Sequence, residues 1–324
     1  MTHELHKELR GLLGILRSPI SGDPLILRED SLQTEGGDER YRITNGIPIL
    51  LAPGKSLFGD TDILISRPST VFRRARSRLR RTLIAGHSSS QNLRHLGALL
   101  EPTGASRDGS RRVLVVGGGI LGFGVEELEA CEWIELVETD VYIGPRTSIV
   151  CDAHDLPFDD GVFHAVVIQA VLEHVIDPVR VVSELHRVLA GDGLIYSEIP
   201  FMQQVHEGAY DFTRWTLGGH RRLLRDFDEI SAGAVGGAGE ALAWSIRYFL
   251  LACIGDNARS RRLAGLIAVA CTLPLRWIDR IICDRPASVD AASGTFVLGR
   301  RRATPRADAD IVSAYGGTQS DLVR

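Results

Sequence analysis

The pattern of apolar and polar positions predicts that strands and helices alternate from about residue 112 onward. A buried parallel strand needs a short, uninterrupted apolar run, and residues 113–116 are such a run. Further predicted strands, separated by polar or amphipathic stretches, are 134–139, 148–151, 165–168 and 193–199. This alternation predicts an α/β fold with a doubly wound sheet, which binds its ligand at the carboxyl ends of the strands.

The pattern before residue 54 predicts a small α+β unit. The positions with helical spacing are Leu9, Leu12, Leu13 and Leu16, and the extended segments are 25–28, 41–43 and 47–51. Asn45-Gly46 marks a tight turn before the last of these segments. A unit of about 45 residues buries too little apolar surface to be stable alone. We therefore expect residues 5–53 to dock on a larger domain.

Residues 241–285 contain two long apolar stretches before the last predicted strand, 295–299. Spanning a bilayer takes about 20 apolar residues, and Pro274 and nearby charges interrupt any such window, so we predict no transmembrane helix. Two interpretations stay open: a buried helical insertion that forms a lid or a dimer surface, and an interfacial element with arginines at the headgroups and Trp277 as anchor. The composition of residues 303–324 predicts a disordered tail.

The composition is that of an ordinary globular protein, with 324 residues, 44% hydrophobic residues and a net charge of −4. This balance excludes a broadly basic nucleic-acid-binding protein, and we expect no nucleic-acid partner. The charge is segregated, because residues 113–212 hold 18 acidic and three basic side chains. Residues 54–110, predicted as linker and helix, are rich in arginine. We interpret the arginines at 73–81 as solvated surface in preference to a polyanion-binding patch.

The five cysteines are odd in number and form no Cys-x-x-Cys pair. This pattern argues against a disulfide framework or a zinc ribbon and favours the reducing cytoplasm. The N-terminus lacks the basic and apolar regions of a secretory signal. We therefore expect a cytoplasmic protein without a metal site; the interfacial interpretation of residues 241–285 adds contact with the inner face of the membrane.

Three glycines follow the first buried strand in the pattern Gly117-x-Gly119-x-x-Gly122. Glycines here let the backbone turn sharply and bring its N–H groups close to a ligand. Asp140 ends the next strand, where a carboxylate can accept hydrogen bonds from both ribose hydroxyls of a nucleotide cofactor. Glu138, on the same face of that strand, is the second candidate.

Three further blocks distinguish NAD from S-adenosylmethionine. They are Cys151-Asp152-Ala153-His154-Asp155-Leu156-Pro157-Phe158, the segment 163–175 with Leu172-Glu173-His174, and Glu184-Leu185-His186-Arg187-Val188-Leu189. In this order and spacing they resemble class I S-adenosylmethionine-dependent methyltransferases of the ubiquinone and menaquinone methyltransferase type, over residues 111–216. The departures, Gly118, His164 and the Ala190-Gly191-Asp192-Gly193 turn, remove no ligand-binding carboxylate.

The resemblance implies a Rossmann-like, seven-stranded methyltransferase sheet over residues 111–302 and a site for S-adenosylmethionine. The implied cofactor-binding residues are Gly117, Gly119, Gly122, Asp140, Asp152, Ala153 and Gln169. The glycines would lie against the methionine part, and Asp140 would hold the ribose. Asp152 and the Ala153 backbone would bind the adenine, and Gln169 would lie near the methyl donor. Glu173-His174 is interpreted as ordering the turn after the fourth strand.

The segment 198–216 follows the fifth predicted strand, where the chain should meet the methyl acceptor. Its pattern Pro-Phe…His…Asp-Phe-x-Arg-Trp-Thr resembles a subset of these enzymes associated with cell-surface polysaccharide or glycolipid assembly, which implies a sugar, glycolipid or other small-molecule acceptor. An alcohol is a poor nucleophile until its proton is removed. His206 is the candidate base, oriented by Asp211, with Arg214 to bind an acceptor phosphate or carboxylate. The alternatives are an Asp211–Arg214 ion pair that shapes the loop, and catalysis by proximity alone.

The N-terminal run "LLGILRSPISGDPL…YRITNGIPILL" resembles the small zinc-ribbon-like proteins that activate methyltransferases. Those proteins carry Cys-Pro-x-Cys at the first turn, whereas this chain has Ser18-Pro19-Ile20-Ser21 and no cysteine before Cys131. A tetrahedral thiolate site cannot be built from these residues. The resemblance therefore implies an activator-like module without its metal.

The prediction is a methyltransferase that transfers a methyl group from S-adenosylmethionine to an oxygen nucleophile. Two alternatives stay open: a non-catalytic binding or scaffold protein with a Rossmann-like fold, and an NAD-dependent oxidoreductase. The Asp-Ala-x-x-Leu-Pro-Phe block speaks against the oxidoreductase.

Overall fold

The computed structural model of the protein describes residues 9–59, 87–102, 109–254 and 257–320. The strands are β1 Leu25–Arg28, β2 Ser31–Thr34, β3 Arg40–Thr44, β4 Ile47–Leu50, β5 Arg111–Val116, β6 Ile134–Asp140, β7 Ile149–Cys151, β8 Phe163–Gln169, β9 Leu189–Pro200, β10 Phe227–Gly236 and β11 Gly294–Arg301. The α-helices are α1 His87–Leu99, α2 Val125–Glu129, α3 Pro178–Val188, α4 Leu217–Leu223, α5 Ala238–Ile254, α6 Ala258–Ile282, α7 Pro286–Asp290 and α8 Asp308–Ser313. The arginines predicted as surface at 73–81 lie outside the described residues.

The strands form one sheet in the order β1-β2-β3-β4-β7-β6-β5-β8-β9-β11-β10. The strands from β7 to β9 in this order are parallel, and β11 pairs antiparallel with both β9 and β10. Alternate residues of β5 enter two different clusters of buried side chains, with Leu114 and Val116 in one and Val113 and Val115 in the other. Both faces of the central sheet are therefore covered, as its uninterrupted apolar runs require. The predicted α/β Rossmann-like class is confirmed.

The N-terminal residues extend this sheet to eleven strands: the seven strands β5 to β11 lie within residues 111–302, where a seven-stranded sheet was predicted, and β1 to β4 come from the N-terminal unit. The antiparallel strands β1 to β4 join it through parallel pairing of β4 with β7, with Ile49 opposite Val150 and Leu50 opposite Cys151. Leu16 is fully buried in the main core and pairs with Phe158. Each unit alone would expose an unpaired strand edge, and the pairing satisfies both edges.

The turn at Ser18 is held by hydrogen bonds. Ser18 Oγ accepts the N–H groups of Ile20 (3.0 Å) and Ser21 (3.1 Å) and lies 2.9 Å from the hydroxyl of Tyr41. It also donates to Glu39. A hydroxyl network thus ties the turn to β3.

The C-terminal part differs from the prediction in two ways. The predicted edge strand 295–299 is β11, which lies between β9 and β10, so β10 is the edge strand. Residues 303–320 are ordered where a disordered tail was predicted: Ile311 of α8 is buried, and the carboxylate of Asp290 accepts hydrogen bonds from the hydroxyls of Tyr315 and Thr318. The polar residues of the tail are held by these specific partners, which composition does not reveal.

Helices α5 and α6 form a hairpin between β10 and β11, which is the helical insertion predicted before the last strand. The buried carboxylate of Asp279 fixes its base by accepting the N–H groups of Gly237 and Gly239, both at 2.7 Å. The outer side of the hairpin is exposed, with Phe249 and Leu266 each 68% accessible, so the interpretation of a buried pair of helices is wrong for that side. Among the described residues, no helix has the length and apolarity needed to cross a bilayer.

The fully buried His220 makes stability depend on pH. Its ring lies between the hydroxyls of Ser197 (2.9 Å) and Thr295 (3.1 Å), and burial lowers its pKa to about 3. The unfolded chain, with a His pKa near ~6.5, therefore binds a proton first as pH falls.

We expect protonation of this histidine in the unfolded chain to lower the unfolding free energy of wild type by about 2 kcal/mol between pH 7 and pH 5. Chemical denaturation of wild type and His220→Gln should show that difference, with the exposed His95→Gln as control. Parallel pH curves for wild type and His220→Gln would contradict it.

Candidate active site

A cavity of about 580 Å³ opens at the carboxyl ends of the parallel strands. The loop after β5, the ends of β6 and β8, and the segment around 203–210 form most of its wall. Residues 55–58 and side chains of α5 and α6 complete it. The predicted site residues that line it are Gly117, Gly122, Asp140, Asp152, Ala153, Gln169 and His206.

The glycine loop is too tightly packed for side chains. Gly117 has φ +75°, and a Cβ there would lie 2.4 Å from Val171 Cγ2. At Gly119 a Cβ would lie 2.7 Å from Asp140 Oδ2, and at Gly122 it would lie 2.5 Å from Gln169 Oε1. Gly117 and Gly122 border the cavity, whereas Gly119 lies behind it and donates its N–H to Asp140 (2.9 Å).

Asp140 ends β6 with its carboxylate fixed by backbone groups. Oδ2 accepts the Gly119 N–H, and Oδ1 accepts the N–H of Val141 at 2.7 Å. Burial raises the pKa of Asp140 to about 6 against these hydrogen bonds. The second candidate, Glu138, is buried and accepts a 2.8 Å hydrogen bond from Arg146. Of the two carboxylates, Asp140 is the one that lines the cavity.

Asp152 and Gln169 each line the cavity and also hold its walls. Asp152 accepts the Ser56 hydroxyl (2.6 Å) and the His154 N–H (3.0 Å). Burial alone would raise the pKa of Asp152, but the hydrogen bonds from His154 and Ser56 lower it. A carboxylate has about four acceptor sites, so room for another donor remains. Gln169 Nε2 donates to the Phe123 carbonyl (3.0 Å) and fixes the glycine loop.

Residues 55–58 reach the cavity, although the sequence predicted a linker there. Lys55, Leu57 and Phe58 line it, and the Phe58 ring stacks on Tyr210 with 5.7 Å between centroids. This placement depends on the pairing of β4 with β7. The sequence contains no local signal for it.

Glu173, His174 and His206 meet where the turn after β8 contacts the segment 203–210. Nε2 of His174 lies 3.6 Å from Glu173 Oε1, and Nε2 of His206 lies 3.8 Å from the same oxygen. Burial raises the pKa of Glu173 to about 8 and lowers the pKa of His174 to about 4. The Glu173 carbonyl accepts the Phe212 N–H (2.8 Å), which is the turn-ordering role expected of it. The contact of its side chain with His206 was missed, because it joins two distant loops.

Asp211 faces both His206 and Arg214. Its Oδ2 accepts the backbone N–H of His206 (2.9 Å) and lies 3.3 Å from Nδ1 of that ring. Burial alone would raise the pKa of Asp211, but the hydrogen bonds from Arg214 and His206 lower it to about 2. Burial also lowers the pKa of His206, which favours the neutral imidazole.

Arg214 is fully engaged inside its own loop. Its two terminal nitrogens bind the two carboxylate oxygens of Asp211. The remaining donors go to backbone carbonyls of Gln203, Gln204 and Thr213. All five N–H donors of the guanidinium are thus used. The structure thus contains the internal ion pair that was the alternative interpretation, and the binding of an acceptor anion by Arg214 stays a prediction.

Comparison with known proteins agrees with this geometry. Residues 131–197 match the family model described as "Methyltransferase domain". Two ubiquinone/menaquinone biosynthesis C-methyltransferases UbiE, from Citrifermentans bemidjiense and Geobacter sp. (strain M21), are 38% identical over 68 residues. Residues 131–197 are thus similar to methyltransferase domains, whose cofactor is S-adenosylmethionine. The matched segment covers 20% of this chain and spans only 29% of the length of each relative.

Among solved structures, the methyltransferase domain is similar to phosphoethanolamine N-methyltransferase 2 of Haemonchus contortus in complex with phosphomonomethylethanolamine and S-adenosylhomocysteine. The identity is 16% and the TM-score 0.41, over 67% of this chain and 54% of that one.

Replacing Asp140 with alanine should weaken the binding of S-adenosylhomocysteine at least tenfold. The variant loses the carboxylate that would accept the ribose hydroxyls, and hydrogen bonds to charged groups contribute about 1.5–3 kcal/mol each. Isothermal titration calorimetry measures the change, with Glu135→Ala as the matched control, since Glu135 is a more exposed acid on β6. An unchanged affinity in Asp140→Ala would refute the ribose role.

Proposed function

We propose that the protein transfers the methyl group of S-adenosylmethionine to a hydroxyl oxygen of a sugar, glycolipid or other small molecule. One observation carries the proposal. The cavity that contains Asp140, Asp152 and the glycine loop continues without interruption to the imidazoles of His174 and His206. A cofactor bound at the first set of residues would thus share one cavity with an acceptor at the second.

The lining of the acceptor side supports a polyhydroxylated molecule. Groups that can hydrogen-bond to hydroxyls project there from Gln203, Glu207 and Arg276. The aromatic rings of Phe58 and Trp244 supply apolar surface beside them. Binding sites combine an apolar lining with a few polar groups in this way. The preference for a glycan acceptor also rests on the resemblance of the segment 198–216 to enzymes of cell-surface glycan assembly.

The reaction proposed is an in-line displacement. The acceptor oxygen forms a bond to the methyl carbon as the bond from that carbon to the sulfonium sulfur breaks, which gives a methyl ether and S-adenosylhomocysteine. The hydroxyl proton must leave the oxygen by the transition state, and the imidazoles of the acceptor side are the groups placed to promote this. Holding the two substrates in line supplies a further part of the rate.

Binding and transfer are tested separately. Calorimetric titration should show binding of S-adenosylmethionine and S-adenosylhomocysteine but not of NAD; binding of NAD alone would favour the oxidoreductase. In a second experiment, methyl-labelled S-adenosylmethionine is incubated with the protein and the carbohydrate fraction of the source cells. We expect the label in base-stable methyl ethers on sugars, identified by mass spectrometry. Cofactor binding without any transfer would favour the scaffold alternative, and label on nitrogen or carbon would refute the oxygen acceptor.

A further inference from the structure

Glu173 carries a buried carboxylate that no neighbour satisfies. Its side chain is fully buried, and within the described part of the chain neither oxygen has a hydrogen-bond partner. Leaving such a group unpaired is costly. Two ring nitrogens lie close to Oε1: Nε2 of His174 at 3.6 Å and Nε2 of His206 at 3.8 Å.

The hydrogen bonds of the two imidazoles fix where their lone pairs point. Nδ1 of His174 lies 2.7 Å from the carbonyl oxygen of Tyr210. Nδ1 of His206 lies 3.3 Å from Asp211 Oδ2 and 3.4 Å from the carbonyl oxygen of Gln204. These oxygens are acceptors, so Nδ1 carries the proton, and a neutral ring then has its lone pair on Nε2. The lone pairs of both Nε2 atoms therefore lie near the same carboxyl oxygen of Glu173.

We propose that Glu173, His174 and His206 bind a divalent transition-metal ion of the zinc type. One ligand atom from each residue lies within 4.8 Å of the others. Zinc bonds of about 2.0–2.2 Å to nitrogen and oxygen put tetrahedral ligand atoms roughly 3.4 Å apart, so small side-chain movements complete the site. Two imidazoles favour zinc and its neighbours over magnesium or calcium.

The surroundings have the features of a metal site that takes part in catalysis. Three protein ligands leave a fourth position for water or substrate, and both histidines line the cavity. Asp211 and the Tyr210 carbonyl hold the second nitrogen of each ligand ring, an arrangement that orients metal-bound histidines. Arg214 in turn holds Asp211 through both of its oxygens.

The chemical role of the ion rests on the proposed function, whereas its binding does not. An acceptor hydroxyl at the fourth position would have its pKa lowered by the ion and would release its proton to water at the open side of the cavity. The resulting alkoxide attacks the methyl carbon, forming the carbon–oxygen bond as the carbon–sulfur bond breaks. His206 then acts as a ligand, in place of the free base predicted from the sequence.

Metal titration of the full chain tests the site. After removal of metal with EDTA, calorimetric titration with zinc sulfate should give one equivalent bound, and cobalt chloride should produce visible absorption bands. We expect Glu173→Gln, which keeps the size of the side chain, and His206→Ala to bind zinc at least tenfold more weakly. The exposed His95→Ala is the matched control, and circular dichroism monitors folding of every variant.

Parallel titration of the metal-free chain with S-adenosylhomocysteine separates this inference from the proposed function. Wild type that binds the cofactor but no zinc would overturn the metal site. Zinc affinity that survives both Glu173→Gln and His206→Ala in folded protein would overturn the ligand assignment. Zinc binding without cofactor binding would leave the site standing and refute the proposed function.

A different observation carries a second inference: the hairpin of α5 and α6 exposes an apolar face. This outer apolar face consists of Leu242, Phe249, Leu263, Leu266, Ile267, Val269, Leu273, Trp277, Ile278 and Ile281, which are between 37% and 68% accessible. The other side of α6, with Ala264 and Ala268, is buried. Scattered exposed apolar residues are ordinary, but a contiguous face of this kind marks an interaction surface.

The exposed charged side chains within α6 are all basic, and the exposed acid Asp284 follows the end of the helix. On α6 the exposed charged side chains are Arg259, Arg261, Arg262 and Arg280. The acid of that helix, Asp279, is buried and accepts the N–H groups at the start of α5. The face therefore presents apolar side chains with basic and no acidic neighbours on its own helix. In a dimer through this face, α6 of the second copy would bring no exposed acid to these arginines. Anionic lipid would bring negatively charged headgroups.

We infer that the outer apolar face docks on an anionic membrane surface, with Trp277 and its apolar neighbours inserted at the headgroup level. Flotation of the protein with phosphatidylcholine vesicles, with and without phosphatidylglycerol, tests this. We expect binding to the anionic vesicles, weakened at least tenfold in Leu266→Ser with Trp277→Ser. Each of Arg259→Gln and Arg262→Gln should weaken it roughly fivefold. Val179→Ser, at an exposed apolar residue of α3, is the control.

Sedimentation analysis tests the alternative that a second copy of the chain covers the outer apolar face. Absence of binding to either vesicle would overturn the membrane assignment, as would equal binding of wild type and Leu266→Ser with Trp277→Ser. A dimer that dissociates in this double variant would show that a second copy covers the face.

Discussion

The hydrogen bonds between β4 and β7 hold the candidate active site together. They align Ile49 and Leu50 with the third strand of the methyltransferase part. The chain then leaves β4 directly above the carboxyl ends of the parallel strands. From there Ser56 reaches Asp152, and Phe58 reaches Tyr210. Without this pairing the cavity would lack one wall, so the N-terminal module is part of the site.

The arrangement of Glu173, His174 and His206 depends on a series of polar contacts that begins at a surface loop and ends in the core. Arg214 holds Asp211, Asp211 holds His206, and His206 faces the buried Glu173. His174 extends the series to the Tyr210 backbone. Each residue orients the next. Arg214 and Asp211, which do not line the cavity of the candidate site, therefore set the geometry of the imidazoles. Supporting hydrogen bonds of this kind hold reactive groups within the small positional tolerance that catalysis requires.

The sequence predicted those features that short-range patterns encode. The apolar runs at 113–116 and 165–168 identified buried strands, and the spacing of Gly117 to Asp140 identified two residues that line the cavity. Features that depend on distant partners were missed. Strand β10 contains small residues and acids without the alternation that predicts a strand. The tail is ordered by contacts with Asp290, which leave no periodic pattern in the sequence. Glu173 was interpreted as a turn residue because its second role needs His206, which only the fold brings near.

The hydroxyl at Ser18 has a consequence for how the cavity wall responds to its chemical environment. A thiolate turn holds its shape only while a metal is bound and the sulfurs stay reduced. A hydroxyl neither oxidises under these conditions nor exchanges an ion with the solvent. The turn at Ser18, and through β3 and β4 the wall that contains Ser56 and Phe58, thus keeps its form irrespective of zinc supply and redox state.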